Sequence, residues 1–214
     1  MYTLIKREIE DNAIIFIIGL AMTLSLVCWL STEVAMNTPT KVPIGLDQGM
    51  YNIFVFLIPI TAFLANALGA AQMYKDKNQK ISAFLLTLAT TRNKIISARI
   101  IAGIIWILMV IAPIAVTEFI LVQVFPILIP YPKTLIIKLF VTMFVVSLCC
   151  YSVGLAVGDN KRRNLSQILC GIITIIILAL IPIKGFGVDI TVMLIILTAA
   201  LLGKVWQKFS SAAL

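Results

Sequence analysis

The stretch Leu139–Gly158, LFVTMFVVSLCCYSVGLAVG, runs for 20 residues without a charged side chain. A helix of about 20 apolar residues is long enough to cross the hydrocarbon core of a bilayer. Backbone polar groups in lipid must be satisfied within the protein, so a spanning segment is either a helix or part of a closed barrel. Barrel strands alternate apolar and polar residues over about 10 positions, and this stretch does not. It is therefore predicted to be a transmembrane helix.

Similar apolar runs recur on both sides of this stretch. The chain of 214 residues is 61% hydrophobic and has a mean hydropathy of +1.09, whereas a soluble domain is about 45–50% apolar. We predict an all-α polytopic membrane protein in which residues 1–214 form a single transmembrane domain. The six predicted spans cover about residues 13–32, 52–73, 97–120, 136–157, 165–182 and 189–206.

The distribution of positive charge predicts the orientation of the spans. Six spans place Lys41, Lys133, Lys138 and Lys184 on one side of the membrane, and the other 13 of the 17 Lys and Arg residues on the opposite side. Loops rich in Lys and Arg stay in the cytoplasm, so both termini are predicted to be cytoplasmic. Because the net charge of +8 is distributed in these short clusters, we expect no nucleic-acid partner.

The sequence offers few groups for catalysis or metal binding. It contains no histidine, and its four cysteines lie inside apolar runs without metal-ligand spacing. It also lacks the G-x-x-x-x-G-K-[ST] motif that binds nucleotide phosphates. We expect no catalytic residue, metal site or cofactor in this chain, and we predict that Cys28, Cys149, Cys150 and Cys170 pack as small side chains.

The N-terminal segment, residues 1–11, has the pattern of an amphipathic helix. Its apolar side chains Met1, Leu4, Ile5 and Ile9 share one face, and Lys6 and Arg7 lie on the other. We predict a helix lying in the membrane interface; the alternative is a cytosolic extension of the first span. Glu8 falls on the apolar face, so its carboxylate is expected to need a cationic partner from a basic loop.

A second segment too short to span, residues 80–91, lies between spans 2 and 3. Ile81, Phe84, Leu85 and Leu88 recur at helical spacing and form an apolar stripe in the most basic loop. Such a patch with a charged rim is typical of a contact surface, so one interpretation is a docking helix for a cytosolic partner. The alternative is a surface helix that packs only on lipid or on its own bundle. A new helix is predicted to begin near Arg92.

The residues that follow this stripe resemble a family motif. FLLTLATTRNKIISARI, at Phe84–Ile100, is similar to the loop between helices 2 and 3 of ABC-2-type transporter permeases. The pair at 85–86 matches the family's leucine pair, Thr91 and Arg92 match its Ser-Arg turn, and Arg99 matches a later cation. LIKREIED, at 4–11, is similar to the family's amphipathic N-terminal helix. Ala89 stands where the family has proline.

The resemblance implies a permease subunit of an ATP-binding-cassette exporter. It implies partner ATPase subunits that bind ATP and Mg, and a second permease chain that is either identical to this one or different from it. It also implies a location in the cytoplasmic membrane of a prokaryote, surrounded by lipid. Residues 80–91 would be the coupling helix, with the ATPase contacted by Ile81, Phe84, Leu85, Leu88, Thr91 and Arg92. The many aliphatic residues favour an amphipathic or apolar cargo, such as a peptide, a lipid-linked molecule or a haem-like compound.

A few polar residues fall within the predicted spans. Glu118 is an intramembrane acid and therefore a candidate for substrate contact or for pairing across a dimer, or it is interfacial if its helix ends there. Asn66 and Gln72 are predicted to form hydrogen bonds between helices.

Two other functions remain open from the sequence. The chain could be a non-transporting membrane anchor or assembly subunit of another complex. It could also be a small lipid-modifying enzyme, although it lacks the usual acid–base groups.

Overall fold

The computed structural model describes residues 2–37, 46–79, 92–124, 133–158, 171–179 and 188–211, and within these ranges the chain is helical apart from a turn at Asn12. Seven helices follow one another: α1 (Tyr2–Asp11), α2 (Ala13–Asn37), α3 (Leu46–Gln79), α4 (Arg92–Val124), α5 (Lys133–Gly158), α6 (171–179) and α7 (Val188–Ser211). The all-helical fold class is confirmed.

Within the part of the chain that the structure describes, fewer candidate membrane spans are found than the six predicted. Four helical segments are long and apolar enough to cross a membrane, namely Leu57–Tyr74, Asn93–Thr117, Ile137–Gly158 and Asp189–Lys208. A fifth is added when α1 and the Ala13–Trp29 part of α2 are counted together as one bent span. Around the predicted span 165–182, the structure describes only residues 171–179, a segment below spanning length. The protein is therefore helical with at least four segments able to span a membrane.

The first two helices meet at a sharp bend. α1 and α2 are inclined by 76°, so α1 does not extend the axis of the first predicted span. Asn12 forms the turn between them, and its backbone carbonyl accepts hydrogen bonds from the N–H groups of Ile15 and Phe16 in the first turn of α2. Tyr2–Asp11 is helical, as predicted for this segment, and the 76° bend means that it does not continue the first span in line; its location in the membrane interface stays a prediction.

The core lies between α3 and α5, which share the most extensive contact among the described helices. Small residues let their backbones approach closely: a Cβ atom at Gly69 would lie 2.5 Å from the carbonyl oxygen of Tyr151, and one at Gly158 would lie 2.9 Å from that of Ala70. Glycine at such positions is typical of helix packing in membranes, where close backbone contact drives association. α7 packs on α5, and α2 and α1 pack on α4.

Trp106 of α4 fills the contact with α2. Its side chain is fully buried, and its indole N–H donates a hydrogen bond to the carbonyl of Ile15 at 3.2 Å. Gly19 of α2 makes room for the ring, because a Cβ there would lie 2.9 Å from the indole nitrogen.

The cysteines only partly follow the prediction that they pack as small side chains. Cys149 and Cys150 are buried in the core. Cys28 is exposed on α2, so the prediction was wrong for this residue. An apolar run does not imply burial of every residue in it, because lipid tails are as apolar as leucine and a helix that meets them is apolar on its outer face too. Cys170 lies outside the described residues.

Candidate functional site at the Arg99 junction

Several of the polar side chains that join the helices meet around Arg99, near the start of α4. We use the name Arg99 junction for Glu8, Gln72, Met73, Arg99 and Tyr151, which come from α1, α3, α4 and α5. These contacts bring the N-terminal helix, the C-terminal part of α3 and the N-terminal part of α4 to the same end of the helical bundle.

The buried Arg99 forms an ion pair with the partly buried Glu8. The Arg99 Nε atom lies 3.1 Å from Glu8 Oε1, and their side chains are 1% and 13% exposed. The expectation that Glu8 needs a cationic partner is confirmed, but the partner, Arg99, lies within α4 and not in a basic loop as predicted. Removing one member of such a pair leaves a charge buried without compensation, which typically costs about 3–5 kcal/mol.

The other charges of α1 pair within their own helix. Lys6 Nζ lies 3.8 Å from Glu10 Oε1, and Arg7 Nε lies 3.6 Å from Asp11 Oδ2, in each case four residues apart. Both pairs are substantially exposed, and such pairs contribute only about 0.3–0.5 kcal/mol each. Lys6 and Arg7 therefore lie on the polar face, as the sequence pattern predicts, and Glu8 is the charge directed at the bundle.

Arg99 also contacts α3 and α5. Its Nη1 group donates to the Sδ atom of Met73 at 3.7 Å, and its backbone carbonyl lies 2.8 Å from the hydroxyl oxygen of Tyr151. The same hydroxyl lies 2.7 Å from Oε1 of Gln72. One residue of α4 thus contacts three other helices, two through its guanidinium and one through its main chain.

The Tyr151 hydroxyl has one proton and two oxygen neighbours, so it donates to only one of them at a time. In this arrangement Nε2 of Gln72 is buried without a hydrogen-bond partner. With the Gln72 amide turned end for end, Nε2 donates to the Tyr151 oxygen, and the hydroxyl proton is left for the Arg99 carbonyl. This orientation gives Nε2 of Gln72, the Tyr151 hydroxyl and the Arg99 carbonyl one partner each, leaves Oε1 of Gln72 as the amide atom without one, and keeps α3, α4 and α5 in one hydrogen-bonded chain.

Gly103 of α4 makes space for the Tyr151 ring. A Cβ atom at this position would lie 2.6 Å from the hydroxyl oxygen, so any other residue would displace the ring from the junction. Tyr151 itself is fully buried, and burial of a large aromatic side chain with a satisfied hydroxyl is strongly stabilising.

Asn66 and Gln72, which the sequence predicts to form hydrogen bonds between helices, each form one in the structure. Both side chains are buried; Gln72 contacts Tyr151 of α5, and Asn66 Nδ2 donates to the Thr174 hydroxyl in the segment 171–179. Glu118 belongs to α4, which continues beyond it to Val124. Its helix therefore does not end at this acid, and its role in substrate contact or dimer pairing stays a prediction.

The predicted coupling residues lie almost entirely outside the described part of the chain. This holds for Ile81, Phe84, Leu85, Leu88 and Thr91. Arg92 is the first residue of α4, which confirms the predicted start of a new helix at that position. Among the described residues, no three His, Cys, Asp or Glu side chains are grouped so that they could hold a metal ion.

Comparison with known proteins gives no match, whether to a family model, to a curated protein or to a solved structure.

Reasoning from sequence missed Tyr151 and the glycines that surround the junction. One signal was present: Gly154 and Gly158 are four residues apart in α5, which is the small-residue spacing of close helix packing. A second signal was Arg99, a cation bordering the apolar run of the third predicted span. No sequence pattern singles out Tyr151, because a tyrosine in an apolar run is equally typical of a membrane surface.

Proposed function

We propose that the chain is the transmembrane permease subunit of an ATP-binding-cassette exporter. It would work with a second permease chain and with separate ATPase subunits that bind ATP and Mg. The cargo would be amphipathic or apolar, and the location would be the cytoplasmic membrane of a prokaryote. The resemblance around Phe84–Ile100 and at residues 4–11 motivates this proposal, and the arrangement of the described helices supports it.

The supporting observation is the relation between segment 80–91 and the Arg99 junction. α3 continues through residues 75–79 beyond its candidate span, about 7 Å of helix, and α4 begins directly after the segment at Arg92. Both helices then enter the junction within two turns of the segment's ends. A partner that displaced segment 80–91 would therefore act on two helices that are joined to α1 and α5 by buried polar contacts.

The energy source in this proposal is ATP bound by another polypeptide. Closure of the two ATPase subunits would move the coupling segments, and the helical bundles would change between two packed arrangements. The cargo would cross along the surface between the two permease chains, whose apolar side chains suit an apolar or amphipathic molecule.

Affinity capture from the native host tests the proposal. A tagged chain purified in mild detergent should retain an ATPase subunit, and the complex should hydrolyse MgATP faster when apolar peptides or lipid-linked molecules are added. Phe84→Asp and Leu85→Asp should each release the ATPase, because an unpaired carboxylate in an apolar contact is costly. Ser82→Asp is the matched control, because it adds the same charge to the segment away from the apolar stripe.

Two results would refute the proposal. One is a purified chain that brings down no ATPase while it holds other membrane or cytosolic proteins, as the anchor alternative requires. The other is a complex in which Phe84→Asp and Ser82→Asp retain the ATPase equally.

A further inference from the structure

We propose that α1 is held on the helical bundle by the Glu8–Arg99 ion pair and can turn about a hinge at Asn12. It moves together with the first two turns of α4. We call α1 the latch for this reason. The proposal rests on the proposed function only for the origin of the force, which would enter at segment 80–91. The latch itself is a property of this chain and is argued from α1, its hinge and its contact with α4.

α1 has no fully buried side chain, and its apolar contact with the core is made by the partly buried Ile9. None of its residues, Tyr2–Asp11, is buried, and Lys6 and Arg7 pair with acids of their own helix. Elements with few buried apolar contacts open locally at a low free-energy cost. The attachment of α1 therefore depends strongly on Glu8, whose carboxylate reaches a guanidinium that is 1% exposed.

The hinge at Asn12 contains an unsatisfied group. The Asn12 side chain is buried, and its Nδ2 atom donates back to the backbone carbonyl of Glu8 at 2.9 Å. Its Oδ1 atom is buried without a hydrogen-bond partner, although an asparagine before a helix commonly accepts a bond from the first turn of that helix. An unpaired buried acceptor costs free energy, so it favours a second arrangement of α1 in which this oxygen is hydrated or paired.

The start of α4 transmits a displacement to the ion pair. Arg92 and Arg99 are seven residues apart, which is about 10 Å of continuous helix, so a displacement at Arg92 reaches Arg99 with little loss. α3 and α5 are packed backbone against backbone at Gly69 and Gly154, and in this proposal that packed region stays fixed while the start of α4 moves. Helix shifts of about 1–2 Å are common in switching proteins, and a shift of that size alters an ion pair that is 3.1 Å long.

Hydrogen–deuterium exchange of the purified full chain tests the latch directly. Glu8→Gln keeps the shape of the side chain and removes its charge, and it should raise the exchange rate of the amides in residues 2–11 about tenfold. Lys6→Gln, which removes a charge from the same helix at an exposed position, should change that rate less than about twofold. The double variant with Glu8→Leu and Arg99→Met should recover much of the protection, because apolar side chains of similar size often replace a buried ion pair well.

Hydrogen–deuterium exchange in the α5 segment Ile137–Gly158 distinguishes local opening of α1 from destabilisation of the whole fold. Fast exchange in α1 with unchanged protection in α5 supports the proposal. Equal exchange in the Glu8→Gln and Lys6→Gln proteins overturns it, and so does a parallel loss of protection in α1 and α5.

Transport by the intact complex provides the second arm. With an ATPase subunit present, Glu8→Gln should lower the cargo moved per ATP hydrolysed at least about threefold, while Lys6→Gln leaves it unchanged. If ATP hydrolysis and transport by the Glu8→Gln complex fall in equal proportion, the latch proposal is overturned. A chain that binds no ATPase refutes the proposed function alone, because the exchange result is measured without any partner.

Discussion

Gly154 lies at the closest approach of α3 and α5, and its replacement by alanine should separate the two helices. A Cβ atom at this position would lie 3.0 Å from the backbone nitrogen of Ala70, 3.0 Å from Oδ1 of Asn66 and closer still to the Asn66 carbonyl. Ordinary van der Waals contacts of a Cβ atom begin at 3.4 Å. Because two of the three neighbours are backbone atoms of a packed helix, no side-chain rotation relieves the overlap.

The magnitude follows from a comparison with Gly203 of α7, where an added Cβ atom meets nothing within 4 Å. Replacing glycine by alanine inside a helix gains about 1 kcal/mol of helix propensity at either position. The difference between the two variants therefore isolates the overlap, for which overpacking in a dense core predicts about 1–3 kcal/mol.

The assay is reversible unfolding of the purified chain in mixed micelles, with both variants measured against the unmodified protein. We expect Gly203→Ala to be as stable as the unmodified protein or slightly more stable, and Gly154→Ala to be less stable than Gly203→Ala by the amount of the overlap. If Gly154→Ala equals or exceeds Gly203→Ala in unfolding free energy, the close contact between α3 and α5 is refuted.

Three further predictions concern the core and the outer surface. Tyr151→Phe should destabilise the fold by about 1–3 kcal/mol in the same unfolding assay, because buried polar groups lose their partner, whereas Tyr2→Phe at an exposed position should be neutral. Trp106→Ala should cost about 3–5 kcal/mol as a fully buried truncation, and Trp206→Ala should cost far less. Leu197→Asp, on the exposed face of α7, should cost about 3 kcal/mol of membrane insertion, measured as the fraction integrated in a glycosylation-mapping assay; unchanged integration of the variant would show that position 197 does not face lipid in the middle of a span.

The helices themselves could be predicted from the sequence because their signal is local. Apolar runs set the positions of α2, α3, α4, α5 and α7, and the five spans predicted there fall within these helices, whereas the span predicted at 165–182 extends beyond the described residues 171–179. The helices extend beyond the predicted spans, as α3 does at both ends, because the hydrogen bonding of a helix continues into the aqueous layer after the apolar run has ended.

The packing of the helices could not be predicted in the same way. In a soluble protein, periodic hydrophobicity marks the buried face of a helix, because the other face is polar. In a bilayer the outer face is apolar too, so Met143 in the core and Leu197 on the surface carry the same signal although their burial is opposite. Only small residues and polar residues distinguish an inner face, and here they do so at Gly154 and Gln72.

The Arg99 junction shows how two exceptions to a hydrophobic pattern explain each other. Arg99 lies inside the candidate span Asn93–Thr117, where an ionised side chain without a partner is costly. Glu8 lies on the apolar face of an otherwise amphipathic helix, where a lone carboxylate would be equally unfavourable. Each charge is tolerated because α1 bends back by 76° at Asn12 and brings the two together. When an acid and a cation are each out of place in their own helix near the same end of a bundle, they are therefore candidates for an ion pair with each other. This criterion applies where the periodicity of hydrophobic residues carries no information about packing.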